Sequence, residues 1–151
     1  IGQYAHGNEP SHHVAYLYNA VGASQKCRDL VARICSELYN TSPSGYAGND
    51  DCGEMSAWYI FSALGFYPVN PADGQYWLGI PAFPKATVNL PDGKTFTVLT
   101  TGNGRMRPSA IDGGVGAPRV KSVLLNGKPL KDYTISHSDI LNGGTLEFRL
   151  G

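Results

Sequence analysis

The sequence has no excess of charge of either sign. Twelve Lys and Arg residues balance twelve Asp and Glu residues, and only 16% of the 151 residues are charged. A chain without net charge lacks the field that draws proteins toward nucleic acid or an anionic membrane surface. The composition therefore argues against a nucleic-acid partner and suits a neutral small molecule or glycan.

Long apolar runs are also missing. No stretch of about eighteen consecutive apolar residues occurs, so the sequence predicts no membrane span. The chain begins with IGQY, where a signal peptide would place a basic segment and then an apolar one. The missing initiator methionine, and a final glycine directly after a strand-like segment, lead us to expect that the chain is part of a longer polypeptide.

Cysteine is scarce. Cys27, Cys35 and Cys52 are odd in number and have no CxxC spacing, which argues against a zinc knuckle or a dense disulfide framework. Cys27 and Cys35 lie eight residues apart on one face of a predicted helix, which is too far for a bridge within that helix. We expect both to be small buried hydrophobic residues.

What the sequence does contain is many turn-forming residues and two kinds of hydrophobic periodicity. Nineteen glycines and ten prolines accompany 42% hydrophobic residues, which is typical of a globular, turn-rich chain. Residues 1–68 have a helical pattern, whereas residues 69–151 alternate with period two. The sequence therefore predicts an α+β fold in series, with a helical unit over residues 1–68 and a β-rich unit over residues 69–151.

Three helices are predicted in the first unit. Ser11 is expected to cap a helix that ends at Gly22, and Ser24 to cap a second one. The third runs from about residue 53 to residue 64 and stops at Gly65. Because the third helix is apolar nearly all round, we expect the missing part of the polypeptide, or self-association, to cover it. The apolar stripes of the first two helices are Val14, Leu17, Tyr18 and Val21, and then Cys27, Leu30, Val31, Ile34, Cys35 and Leu38.

The second unit is predicted to form an antiparallel, sandwich-like sheet. Strands are expected over residues 76–80, 86–90, 95–99, 120–125, 133–136 and 145–150. The PDGK turn at residues 91–94 and the Asn126-Gly127 pair mark the hairpins. Residues 102–118 are expected to form an exposed loop, because they are rich in glycine and too irregular for a hairpin.

Two adjacent carboxylates stand ahead of the third helix. Asn49, Asp50 and Asp51 are bracketed by glycines at positions 48 and 53. Asp51 and Glu54 have the spacing of a capping box, and acids are favoured at a helix N-terminus, so capping alone would explain them. A carboxylate held there with access to water is also suited to be a general base. The residues leave both roles open, with Asp50 facing solvent if Asp51 caps.

A second polar run, HGNEPSHH, fills residues 6–13. Adjacent His12 and His13 point in different directions on a helix and no HExxH spacing occurs, which disfavours zinc. Asn8 and Glu9 offer hard oxygen donors that suit calcium better than a transition metal. An ordinary polar turn before a helix, with Pro10 near its first position, would also explain the run.

Together these runs resemble glycoside hydrolase family 92. The resemblance rests on HGNEPSHH at residues 6–13, AYLYN at 15–19, GNDDCG at 48–53, MSAWY at 55–59 and SALGFYP at 62–68, in this order and spacing. It is specific over about the first 85 residues and weaker across the sheet segment.

The resemblance implies an exo-acting, inverting α-mannosidase that holds calcium beside the terminal mannose of a glycan. It also implies an (α/α)₆ barrel packed on β-sandwich material, with the last helices of the barrel in this chain. By the same resemblance, Asp51 is the general base and Glu9 with Asn8 belongs to the calcium site. His6 and Asn49 would lie at the mannose subsite.

The division of labour between the two aspartates stays open. Some family members have a carboxylate where this sequence has Asn49, which makes Asp50 the alternative base to Asp51. The general acid of the family lies upstream of the matched motifs, so the chain alone is predicted to be nearly inactive.

Two further expectations concern location and an alternative function. Family members are commonly exported, which implies a periplasmic or extracellular protein. The competing hypothesis is a carbohydrate-binding or structural module that acts through its β-rich half, with Tyr76 and Trp77 as a platform for a sugar ring.

Overall fold

A computed structural model describes residues 3–104 and 117–151, and this part of the chain contains helices and two sheets. The α+β prediction is confirmed. Most of the loop predicted over residues 102–118 lies outside the described residues. The helices are α1 (Ser24–Glu37), α2 (Glu54–Leu64) and α3 (His137–Leu141), and the strands are β1 (Phe66–Tyr67), β2 (Gln75–Leu78), β3 (Lys85–Asn89), β4 (Thr95–Gly102), β5 (Val120–Leu125), β6 (Lys128–Pro129), β7 (Thr134–Ser136) and β8 (Gly144–Leu150).

The prediction of an α-helix between Ser11 and Gly22 is wrong. Two 3₁₀ segments, Glu9–Ser11 and Val14–Asn19, take its place. Their backbone bonds reach back three residues, as from Tyr16 N to the carbonyl of His13. Ser11 does not cap a helix either, because its hydroxyl donates to the carbonyl oxygens of Ala5 and Asn8.

Most of the predicted apolar stripe of this segment faces outward, with Tyr18 alone of its four residues packed on the helical core. Ala15, Tyr16 and Asn19 are buried, whereas Leu17 is 42% exposed and Val21 is 75% exposed. A 3₁₀ segment completes a turn in three residues instead of 3.6, so a stripe assigned with helical spacing falls on the wrong face.

Helix α1 confirms most of its predicted stripe. Cys27, Val31 and Ile34 are buried. The helix begins at Ser24 itself, so Ser24 occupies the first turn and does not cap it. Arg28, which is not one of the predicted stripe residues, is also buried and only 7% exposed.

Helix α2 ends where the sequence predicts. Gly65 has φ +97°, and its N–H donates to the carbonyls of Phe61 and Ser62. Glycine closes a helix in this left-handed conformation without the cost that a Cβ would impose. Burial is less complete than the sequence suggests, because Met55 and Trp58 are buried while Ile60 is 58% exposed.

The larger sheet has five strands in the order β3-β4-β8-β5-β6. The β3–β4 hairpin is confirmed, with Val88 opposite Phe96. The expectation of an antiparallel sheet holds for every neighbouring pair here except one, since β4 and β8 run parallel. Parallel neighbours need a long connection instead of a hairpin, and β5, β7 and α3 lie in the chain between these two strands.

A smaller antiparallel sheet, β1-β2-β7, joins the helices to the larger sheet. Phe66 of β1 packs in the core of the sheets with Phe96 and Phe148, while the next residue, Tyr67, packs on the helical core around Trp58. Both cores therefore contain residues from each side of position 68. The division of the chain at this position stays a prediction.

Candidate functional site

The loop before α2 is shaped by Asp50. Its Oδ1 accepts hydrogen bonds from the backbone N–H of Ser56 at 2.9 Å and from the Ser56 hydroxyl at 2.6 Å. Gly53, with φ +93°, is the residue immediately before the helix, which starts at Glu54. The capping box that the spacing of Asp51 and Glu54 allows is not formed, and the neighbouring Asp50 accepts the hydrogen bonds from the first turn instead.

Asp51 is exposed and lies in a strained turn. Its φ is +48°, and Cys52 follows with φ +59°. Left-handed conformations are costly for residues other than glycine, and asparagine and aspartate tolerate them best. Consecutive residues of this kind are uncommon and occur where a surrounding structure holds them in place. The turn leaves the Asp51 carboxylate free of the helix that follows.

The Asp51 carboxyl group meets the carboxyl group of Glu9, which comes from the first 3₁₀ segment. Hydrogen bonding with Glu9 and the negative charge of its carboxylate raise the pKa of Asp51. The same hydrogen bond lowers the pKa of Glu9. Two carboxylates close together repel each other when both are ionised, which favours a proton or a cation between them.

Few side-chain oxygen atoms that could bind a metal ion lie around Glu9. Its Oε1 is enclosed and has no hydrogen-bond partner among the described residues. Asn8 and Asn49 are exposed, and the Asn8 carbonyl accepts from Ser11. Within residues 3–104 and 117–151, no group of three or more His, Cys, Asp and Glu side chains could hold a metal ion. The structure thus brings together Glu9 and Asp51 of the sequence-predicted site.

His6 lies below this surface, at 2% exposure, in a chain of hydrogen bonds. The Tyr39 hydroxyl donates to the carbonyl of Met55, so it accepts from Nε2 of His6 at 2.6 Å. Nδ1 of His6 then accepts from the Tyr4 hydroxyl at 2.8 Å. Burial, with a smaller effect of His12, lowers the pKa of His6 to about 4. A hydrogen bond between this ring and a sugar would have to replace the one to Tyr4 or the one to Tyr39.

Two glycines allow the segments that carry Glu9 and Asp51 to approach each other. A Cβ on Gly7 would collide with the backbone carbonyl of Ala47. A Cβ on Gly48 would lie 3.1 Å from the Cα of Gly7. Any other residue at either position would push the two backbones apart.

Sequence reasoning missed the aromatic and polar residues beneath the site. Tyr4, Tyr39 and the pair His12–Glu54 hold it in place, and they come from three separate segments. The polar run at residues 6–13 pointed to His12, but nothing in a single sequence pairs residues that lie about forty positions apart.

The aromatic platform expected on the β-rich half is half-buried. Tyr76 donates or accepts a 3.0 Å hydrogen bond with Nδ1 of His137 and packs edge-on against Phe66. Trp77 packs against the helical core. Both rings are thus partly covered by the cores on which they pack.

An apolar cavity of about 230 Å³ lies elsewhere in the fold, between α1, α2 and the segments around Ile80 and Pro118. No helix in the described part of the chain is both long enough and apolar enough to cross a membrane.

The chain is similar to known proteins over its whole length. Residues 1–151 match the family described as "Glycosyl hydrolase family 92 catalytic domain". An "Uncharacterized secreted glycosidase" of Arthroderma benhamiae is 32% identical over 146 residues, which are 96% of this chain and 18% of that protein.

Solved structures agree with this match. A family GH92 α-mannosidase from Bacteroides thetaiotaomicron, also solved in complex with mannoimidazole, is 38% identical, with a TM-score of 0.86 over all of this chain and 19% of its own. A family GH92 inverting mannosidase of the same organism is 39% identical, with a TM-score of 0.83 over 99% of this chain and 19% of its own. The chain thus spans about a fifth of these relatives, and it matches their C-terminal part. It belongs to glycoside hydrolase family 92.

Proposed function

We propose that this chain is part of a calcium-dependent, inverting exo-α-mannosidase that removes terminal α-linked mannose from glycans. The observation that carries the proposal is the close approach of the segments that hold Glu9 and Asp51, where Gly7 packs against Ala47 and Gly48. The Glu9 carboxyl group accordingly raises the pKa of Asp51. Its relatives support the substrate, because solved family members are α-mannosidases and one of them is described as inverting.

The residues present fit a calcium ion. Glu9 has an enclosed oxygen without a partner, and a second carboxylate faces it across the loop. Calcium takes hard oxygen donors from carboxylates, amides, backbone carbonyls and water, so Glu9 with Asn8 would hold it. Calcium bound there would contact sugar hydroxyls and favour distortion of the ring. It would also remove the need for Glu9 and Asp51 to share a proton.

Asp51 is the residue that suits the general base. Its carboxylate is exposed to water, whereas Asp50 is held by both donors of Ser56. An inverting enzyme activates water with a carboxylate on the face of the sugar opposite the leaving group. Asp51 would take that proton, and Asp50 would fix the turn that presents Asp51. Asn49 and His6 would then lie at the mannose subsite.

The other half of the reaction needs a general acid. An inverting site keeps its two carboxyl groups roughly 6.5–9.5 Å apart so that a water fits between base and sugar. Glu9 is in contact with Asp51, so it is too close to be that acid. The acid would come from the part of a longer polypeptide that this chain does not contain. Export to the periplasm or cell exterior is in keeping with the secreted relative.

The test is release of mannose from an α-1,2-linked mannobiose by the complete polypeptide, with and without a calcium chelator. The wild-type protein should lose activity on chelation and regain it with added calcium. The Asp51→Asn variant should lose at least about 100-fold in kcat, because a general base contributes typically 10²–10⁴-fold. Glu37→Gln, on an exposed ion pair of α1, is the matched control and should leave kcat unchanged. An Asp51→Asn variant with wild-type kcat would overturn the assignment.

A further inference from the structure

His12 lies beneath the two segments that carry Glu9 and Asp51 and contacts both of them. The ring is only 2% exposed. Its Nε2 lies 3.0 Å from the carbonyl oxygen of His6, and its Nδ1 lies 3.3 Å from Oε1 of Glu54. Glu54 is the first residue of α2 and follows Asp51 by three positions. The His12–Glu54 contact therefore spans the gap between the two segments.

The hydrogen-bond partners of His12 define what this contact requires. A carbonyl oxygen only accepts, so Nε2 of His12 carries a hydrogen and donates it to His6. The Glu54 carboxylate also accepts, so a favourable contact with Nδ1 needs a second hydrogen between the two groups. Hydrogen bonds that involve ionised groups are about twice as strong as neutral ones.

The backbone carries the link from this pair to the carboxylates. The N–H of His12 donates to the carbonyl of Glu9 at 2.9 Å, and the N–H of Glu54 donates to the carbonyl of Asp51 at 3.3 Å. The pair is itself held firmly, because Trp58 Nε1 donates to the His12 carbonyl at 3.0 Å and the His12 ring stacks on His6 at 4.7 Å. A change at Glu54 should consequently move Asp51 relative to Glu9.

We propose that His12 and Glu54 are a positioning pair that sets the separation of the Glu9 and Asp51 carboxylates. The pair thereby sets the affinity of the site for a divalent cation and the placement of the base. This inference rests on the proposed function. Neither residue touches the sugar or the cation; both act through the backbone of the residues that do.

Glu54 is the residue to change, because its side chain is 47% exposed and its removal leaves little empty space. Glu54→Ala removes the partner of Nδ1. Glu54→Gln keeps the link, because its amide can donate to Nδ1 of a neutral His12. His12→Gln keeps a donor for the His6 carbonyl and loses the one that faces Glu54. The double variant His12→Gln with Glu54→Ala tests whether the two residues act as one unit.

The measurement is calcium affinity of the complete protein by isothermal titration calorimetry, together with kcat and KM. Glu54→Ala should bind calcium about 10-fold more weakly and lose about 10-fold in kcat, because partners beyond the direct ligands of a metal typically contribute 10–100-fold. Glu54→Gln should recover most of both. The double variant should be no worse than His12→Gln alone. Glu37→Ala, at the Arg33 ion pair, should match wild type.

The possible outcomes distinguish a failure of the proposed function from a failure of the positioning pair alone. Wild-type protein that binds no calcium overturns the proposed function and this inference with it. Wild-type binding with unchanged calcium affinity and kcat in Glu54→Ala overturns the positioning pair alone, even if the variant melts earlier. Equal losses in Glu54→Ala and Glu54→Gln would also overturn it, because the link and not the charge is what the proposal requires.

Discussion

Asp50 and Asp51 are neighbours in sequence with different surroundings. Asp50 accepts two hydrogen bonds from Ser56, whereas Asp51 is exposed beside Glu9 in a left-handed conformation. The Asp50 carboxylate thus holds the turn together, whereas the Asp51 carboxylate lies beside the negative charge of Glu9. Removing Asp50 should therefore lower stability, whereas removing the charge of Asp51 should not.

We predict that Asp50→Ala lowers stability by about 1–2 kcal/mol, which is typical for loss of a residue that caps a helix. Asp51→Asn should leave stability unchanged or raise it slightly, since asparagine tolerates φ near +50° and carries no charge against Glu9. Thermal unfolding in calcium-free buffer measures both. A loss in Asp51→Asn as large as that in Asp50→Ala would contradict this assignment of roles.

The three cysteines should differ in reactivity. Burial raises the pKa of the buried Cys27 and of the half-buried Cys35 to about 12, while Cys52 is exposed in the loop after Asp51. Because the thiolate is the reactive form, iodoacetamide at pH 8 should modify Cys52 in the native protein and spare the other two. Peptide mapping by mass spectrometry gives the extent at each position, and urea should expose all three. Rapid labelling of Cys27 without denaturant would contradict the buried α1 face.

At the scale of elements, the two glycines that end helical segments differ in their surroundings. Gly22 has φ +73° and open space around a built Cβ, whereas Gly65 has φ +97° and a Cβ there would lie 2.7 Å from Cγ of Pro81. Gly22→Ala should cost about 1 kcal/mol through its conformation alone. Gly65→Ala should cost about 1–3 kcal/mol more, because it also overpacks the contact with Pro81. Denaturant unfolding of both variants tests this, and equal losses would show that the Pro81 contact gives way freely.

The elements differ in how well local sequence determines them. The β3–β4 hairpin follows from its period-two pattern and its turn, and the end of α2 follows from Gly65. In the first segment, which forms 3₁₀ turns, Asn19 and Tyr16 bond to distant partners, the Leu78 carbonyl and the Ser62 hydroxyl. A local pattern does not contain these contacts. Helix α3 was missed, although Ser136 and Asp139 form a capping box, because it is only five residues long.

The site itself was predictable in part. The motifs pointed to Glu9 and Asp51 through their resemblance to the family, which the chain matches over residues 1–151. The contact between them, the role of Asp50 as a cap and the His12–Glu54 link depend on tertiary structure. The proximity of residues 9 and 51 can be seen only in the folded structure, because the chain segment between them includes all of α1.

At the scale of the whole molecule, the chain is about a fifth of the length of its solved relatives. Several apolar side chains are exposed in this part, among them Val14, Leu17 and Phe83. We expect other segments of a longer polypeptide to cover them and to complete the substrate pocket. The (α/α)₆ barrel implied by the resemblance stays a prediction of the same kind.

The chain on its own should therefore hydrolyse α-linked mannobiose at least about 100-fold more slowly than the complete protein, even with saturating calcium. The reason is that protonation of the leaving oxygen contributes typically 10²–10⁴-fold, and Glu9 lies beside Asp51, the proposed base, instead of across a water from it. Mannose release by both proteins at equal concentration measures the ratio, and protection of Cys27 from alkylation verifies that the isolated chain is folded. Turnover by a folded, isolated chain at a rate close to that of the complete protein would mean that its own residues supply the acid, with Glu54 the first carboxyl group to substitute.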